Sequence, residues 1–138
     1  MKTINVRLGQ LPWQAIVWGE DAENKGKICG GAIVSRFHVL TAAHCVEKER
    51  RKFVGPINVG QVSLSINDKV VNYDVEKVIV HPKRSLKSLT NDLAVIKVTV
   101  PFNFSKNIQP IPIGNLSVDR LHENEKVNVL FLHLNISF

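Results

Sequence analysis

Apolar residues in this chain alternate with polar ones in short runs, and no run carries the longer period of an amphipathic helix. Val62, Leu64 and Ile66 alternate with Ser63 and Ser65, and Val71, Tyr73 and Val75 with Asn72 and Asp74. Ala94, Ile96, Val98 and Val100 fall on one side of residues 93–100, with Lys97 and Thr99 on the other. A period of two places side chains on opposite faces of an extended strand, so each run reads as a strand with one face buried. Residues 11–18, 28–34, 39–43 and 78–80 supply further apolar runs, and Pro101 ends the strongest one. Strands recurring about every ten residues, joined by polar turns, predict an all-β antiparallel barrel or sandwich. The one helical candidate is residues 42–50, a turn or two long. Pro110 and Pro112 mark an extended connector, and the apolar end, residues 127–138, has no evident partner strand.

A length of 138 residues suits one domain. Hydrophobic residues at 44% and charged residues at 22% argue against disorder. No apolar run reaches the roughly 18 residues of a membrane helix, so no membrane partner is expected. The first residues hold no signal-peptide core. A net charge of +6 directs attention to two basic clusters: Lys48, Arg50, Arg51 and Lys52, then Lys83, Arg84 and Lys87. Such clusters attract polyanions such as heparin-like polysaccharide. Aromatic residues do not interleave with them, which speaks against a base-stacking surface.

Two short stretches carry chemistry: Thr41-Ala42-Ala43-His44-Cys45 and Asn91-Asp92-Leu93-Ala94. Amide hydrolysis by a nucleophile needs a hydroxyl, an imidazole to take its proton and a carboxylate to orient the imidazole. Imidazole titrates near working pH, so His44 is a candidate general base. Asp92, at the head of an apolar strand, is a candidate orienting acid; it is equally a turn residue before a strand. Cys29 and Cys45 permit one disulfide or two buried thiols, and composition leaves both open. A zinc site on Cys29, His44 and Cys45 lacks a C-x-x-C pair and a fourth ligand, so no metal and no cofactor is expected.

The blocks LPWQAIV, ICGGAIVSRFHVLTAAHCV, VEKVIVHP and NDLAVIKV occur in one order between Gly9 and Asn115. Together they resemble the trypsin-like serine endopeptidases (chymotrypsin fold, S1 family). The resemblance implies that His44 is the general base, that Asp92 is the orienting acid, and that Cys29 and Cys45 form the disulfide bracketing the histidine. A bridge closing a loop of about 15 residues stabilises by roughly 3 kcal/mol. The resemblance also implies that Trp13 is a core residue and that Gly30 and Gly31 line a tight stretch of backbone; His38, His81, His122 and His133 match no catalytic position.

The family fold has two six-stranded barrels with the active site between them. The matching segment implies a single antiparallel six-stranded Greek-key barrel, the first of the two, with its connector, over residues 9–116. Residues 1–8 are an atypical N-terminus without an Ile-Val-Gly-Gly-like start, and 117–138 are a divergent tail of intron-derived or alternatively spliced appearance. No GDSGGP run supplies a nucleophilic serine, oxyanion hole or S1 pocket. The expected function is therefore that of a truncated trypsin-like endopeptidase, inactive alone. The alternative is a non-catalytic protease homologue that acts as a binding module. Expected partners are polypeptide substrates or protease inhibitors of the complete enzyme, and the expected location is extracellular. The sequons at Asn103, Asn115 and Asn135 matter in that compartment. A lone barrel is expected to expose an apolar patch where its cleft is uncovered.

Overall fold

A computed structural model of the chain describes residues 7–20, 25–48, 51–52, 55–60, 71–88 and 90–114. The strand expected at residues 62–66 and the tail beyond 114 lie outside them. The described residues hold nine strands: β1 (Gln14–Glu20), β2 (Gly26–Ile33), β3 (His38–Thr41), β4 (Glu47–Lys48), β5 (Arg51–Lys52), β6 (Ile57–Val59), β7 (Val71–Tyr73), β8 (Val75–Val80) and β9 (Ala94–Val98). Seven of them make one antiparallel sheet in the order β7-β6-β1-β2-β3-β9-β8, and β4 pairs with β5 apart from it.

The two end strands are halves of one chain segment. Only Asp74 separates β7, which pairs with β6, from β8, which pairs with β9. The segment bends there: the Asp74 carbonyl accepts from Thr99 N–H at 2.9 Å, and the register shifts between Val75 and Lys77. One bent segment thus serves both edges and nearly closes the sheet into a barrel. Counted by segments, the barrel has the six passes expected from sequence. The neighbours β6-β1-β2-β3 have Greek-key order, with the fourth strand returning beside the first.

Strand faces follow the alternation. Ala94, Ile96 and Val98 of β9 point into the core, packed with Ala15, Val17, Ile33, Val39, Ile57 and Val59. Val100 leaves this pattern and is 54% exposed, because β9 ends at Val98 and Phe102 takes the buried position instead. Phe102 packs edge-on to Tyr73 at 4.7 Å between centroids, and the Tyr73 hydroxyl accepts from Asn103 N–H. At Gly31 a Cβ would stand 2.7 Å from Val39 Cγ1 and 3.1 Å from the Leu40 carbonyl oxygen. The tight backbone expected there is present, and only glycine fits. At Gly30, its neighbour, a Cβ would meet only the Gln14 side chain, at an ordinary contact distance of 3.5 Å, and Trp13 is half-buried rather than a full core residue.

Over residues 42–48, the described part of the expected helix, no α-helix forms. A 3-10 turn spans Ala43–Cys45 and gives way to the β4–β5 hairpin. Buried Cys45 and Val46 tie this turn to the core, and the bridge from Cys45 to Cys29 holds it against β2. The expected connector is extended and fastened: Gln109 N–H donates to Pro12 O and Ile111 N–H to Ile33 O.

Candidate active site

Four elements bring the site together. Antiparallel pairing of β3 with β9 sets Thr41 opposite Ala94, which places the turn after β3 beside the loop before β9. Thr41 Oγ1 donates to the Gly30 carbonyl at 2.8 Å and fastens β3 to β2. The disulfide Cys29–Cys45 joins β2 to the 3-10 turn. His44 projects from the centre of that turn, half exposed.

Asp92 stands two residues ahead of β9, aimed by its predecessor. Asn91 has φ of 53°, a left-handed conformation that asparagine tolerates better than most residues, and its side-chain amide donates to the Lys83 carbonyl at 2.9 Å. Leu93 N–H closes the tight turn on Asn91 O at 2.8 Å.

The two side chains meet through both carboxylate oxygens. His44 Nδ1 lies 2.6 Å from Asp92 Oδ2, and the His44 backbone N–H donates to Oδ1 at 2.8 Å. A carboxylate at Nδ1 fixes the tautomer with the proton on that atom, leaving Nε2 as the acceptor of the neutral ring. Nε2 lies 3.5 Å from Cys45 Sγ. A disulfide sulfur has no proton to donate, so the Nε2 lone pair stays free. Burial alone would raise the pKa of Asp92. The side-chain and backbone hydrogen bonds from His44, with the positive charges of His44 and Arg84, outweigh it and hold the carboxyl below its ordinary value.

Ligand atoms of Cys29, His44 and Cys45 gather within 4.8 Å, but both sulfurs are spent on each other and offer no thiolate. Among the described residues no serine hydroxyl is bonded to His44. Ser35 Oγ pairs instead with His38 Nδ1 at 2.7 Å, inside the turn between β2 and β3.

One of the residues expected to meet a polyanion points elsewhere. The Arg84 side chain is 6% exposed and lies between Asp92 and Glu47, because two carboxylates draw it inward. Lys83 and Lys87 are exposed; Lys48, Arg50, Arg51 and Lys52 have no described side chains. Three residues at the site carried no local signal in the sequence. Arg84 is brought to Asp92 by the β8–β9 pairing, Glu47 of β4 meets Arg84 from the other side, and Lys27 Nζ donates to the His44 carbonyl at 3.3 Å across a separation of 17 residues. Beside the site, Leu93 is 43% exposed.

Comparison with known proteins bears on family and fold. Residues 2–130 match the sequence model of the Trypsin family. The chain is 36% identical over 109 residues to vitamin K-dependent protein C of Mus musculus, a match covering 78% of this chain and 22% of that protein. It is 32% identical over 131 residues to CLIP domain-containing serine protease B4 of Anopheles gambiae, covering 84% and 36%. The chain therefore spans roughly a fifth to a third of the length of the curated relatives it matches. Among solved structures, the Drosophila Grass clip serine protease of the Toll pathway is similar with a TM-score of 0.66 and 28% identity, over 79% of this chain and 34% of that one. A structure titled as that of GrC shares the fold with a TM-score of 0.69 at 22% identity, over 89% and 49%. Sequence blocks, barrel and relatives concur: this chain belongs to the trypsin-like serine protease family.

Proposed function

We propose that these 138 residues form the proton-handling half of a serine endopeptidase site. In this reading His44 is the general base and Asp92 the orienting acid. When a substrate is attacked, Nε2 takes the hydroxyl proton and the imidazolium is stabilised by the carboxylate at Nδ1. The supporting observation is the double grip of Asp92 on His44, 2.6 Å at Nδ1 and 2.8 Å at the backbone N–H. The nucleophile, the oxyanion hole and the S1 pocket belong to a second barrel. No GDSGGP run occurs here, so this polypeptide alone hydrolyses nothing. Polypeptide substrates and protease inhibitors engage the site only when both barrels are joined. In this assignment residues 9–116 are the first barrel and its connector. An extracellular setting is part of the proposal, in keeping with a disulfide beside the site.

The test is labelling with a fluorophosphonate probe and turnover of a chromogenic peptide panel. The chain alone gives neither. Mixed with a second-barrel polypeptide that carries GDSGGP, it restores labelling of that serine, and His44→Ala abolishes the restoration. Labelling of the chain alone overturns the proposal. Retention on heparin that is lost in modest salt and in Lys83→Ala/Lys87→Ala favours the binding-module reading, for which the exposure of those two lysines speaks.

A further inference from the structure

The carboxylate that faces His44 is itself held from behind. Arg84 follows β8 by four residues, and its guanidinium enters the space between two acids. Nη2 stands 3.4 Å from Asp92 Oδ1, Nε stands 3.9 Å from Glu47 Oε2, and Nη1 donates to the Ser85 carbonyl at 3.1 Å. Among the described residues, Glu47 Oε2 and Arg84 Nε are the two buried side-chain polar atoms without a hydrogen bond, and they are partners in this ion pair.

Burying ions costs solvation, and an apolar side chain of similar volume fills such a space at no such cost. A buried arginine between two acids, one of them touching His44, is therefore poorly explained by packing. The geometry points to Arg84, anchored by Glu47, as a positioning residue for Asp92: it secures Oδ1 so that Oδ2 stays turned toward His44 Nδ1. This inference rests on the base-and-acid reading of His44 and Asp92.

The charges fit the role. With a neutral imidazole, Arg84, Asp92 and Glu47 sum to minus one. When His44 takes a proton the cluster becomes neutral. Arg84 alone would offset the charge of Asp92 that the imidazolium needs; Glu47 compensates for Arg84. Among the described residues, the other titratable groups nearby are Lys27, whose amine sits on the His44 carbonyl, and His81 and Lys87, which line the cleft leading to Glu47 and Arg84.

The test uses the full chain and follows two NMR signals with pH: the Asp92 carboxyl carbon and the His44 ring. Glu47→Gln removes a negative charge, so the Asp92 midpoint moves down. Arg84→Met removes a positive charge, so it moves up, and the His44 Nδ1 proton signal weakens. Arg84→Lys restores the midpoint more fully than the proton signal, because an ammonium lacks the planar fork. A mere packing role predicts no such opposed shifts. If Arg84→Met does not fold, the downward shift in Glu47→Gln and the split response of Arg84→Lys decide the matter. An Asp92 midpoint that ignores both Glu47→Gln and Arg84→Lys, with the proton signal intact, overturns the assignment. Asp92→Asn is the control for the underlying reading. If His44 titration ignores that substitution, the base-and-acid pair itself fails; if it responds while the Glu47 and Arg84 variants have no effect, only the positioning role fails.

Discussion

Reduction of Cys29–Cys45 is expected to weaken the barrel by an amount set by the separation of the two residues. The bridge closes a loop over a sequence separation of 16. In the chain-entropy model a loop of that size removes about 10 cal/mol/K from the unfolded ensemble, or about 3 kcal/mol at 25 °C. The comparison is between the oxidised chain and the same chain held as the dithiol, so the S–S bond is lost, each sulfur gains a hydrogen and no heavy atom is removed. With a urea m-value of about 2 kcal/mol/M, the midpoint of unfolding falls by about 1.5 M. The thermal midpoint falls by roughly 10–15 °C. The double variant Cys29→Ala/Cys45→Ala loses slightly more, because Cys45 is buried and its sulfur leaves a void. Tryptophan fluorescence and far-ultraviolet circular dichroism follow the transition. A loss below about 1 kcal/mol, with m unchanged, would refute the loop-closure reasoning.

Three further outcomes are expected. Asp92 contributes stability that is complete above the ordinary carboxyl pKa of about 3.9 and is lost as pH falls through its lowered folded value, so Asp92→Asn flattens the acid limb of a stability–pH profile; an unaltered limb contradicts the lowered value. Gly31→Ala pushes a methyl against Val39 and the Leu40 carbonyl and destabilises by about 1–3 kcal/mol in urea titration, whereas Gly30→Ala, whose methyl meets only the Gln14 side chain at an ordinary contact distance, changes little. Expressed through a eukaryotic secretory pathway, the chain carries an N-linked glycan at exposed Asn103, read as a mass shift that a glycan-releasing amidase removes and Asn103→Gln prevents.

Strand β9 was legible because its alternation is clean and its inward residues are small and branched. β1 was legible only as an apolar run: Ala15, Ile16 and Val17 are all fully buried, so both faces are covered and the period is lost. The turn carrying His44 was misread as helical because propensity favours alanine and glutamate in a helix, while the disulfide and the buried Val46 impose another shape. The His44–Asp92 contact spans 48 residues, and no local pattern joins them. Only the likeness to a family links them in the sequence; in space, the pairing of β3 with β9 brings them together. Arg84 looked like a solvated charge among other charges. Its inward turn depends on Glu47 and Asp92, which come near it only in the folded barrel.

The bend at Asp74 also determines how this sheet meets other sheets. A barrel has no free edge, and here the last edge is removed by one segment that changes partners at a single residue. Should that segment lift away, β6 and β9 each lose a neighbour and present unpaired backbone to any strand of suitable register. The nearest supply of such a strand is the same segment of a second copy. The seam at Asp74 is thus where strand exchange between molecules would begin, and its hydrogen bond to Thr99 is one of the bonds that such an exchange would have to break.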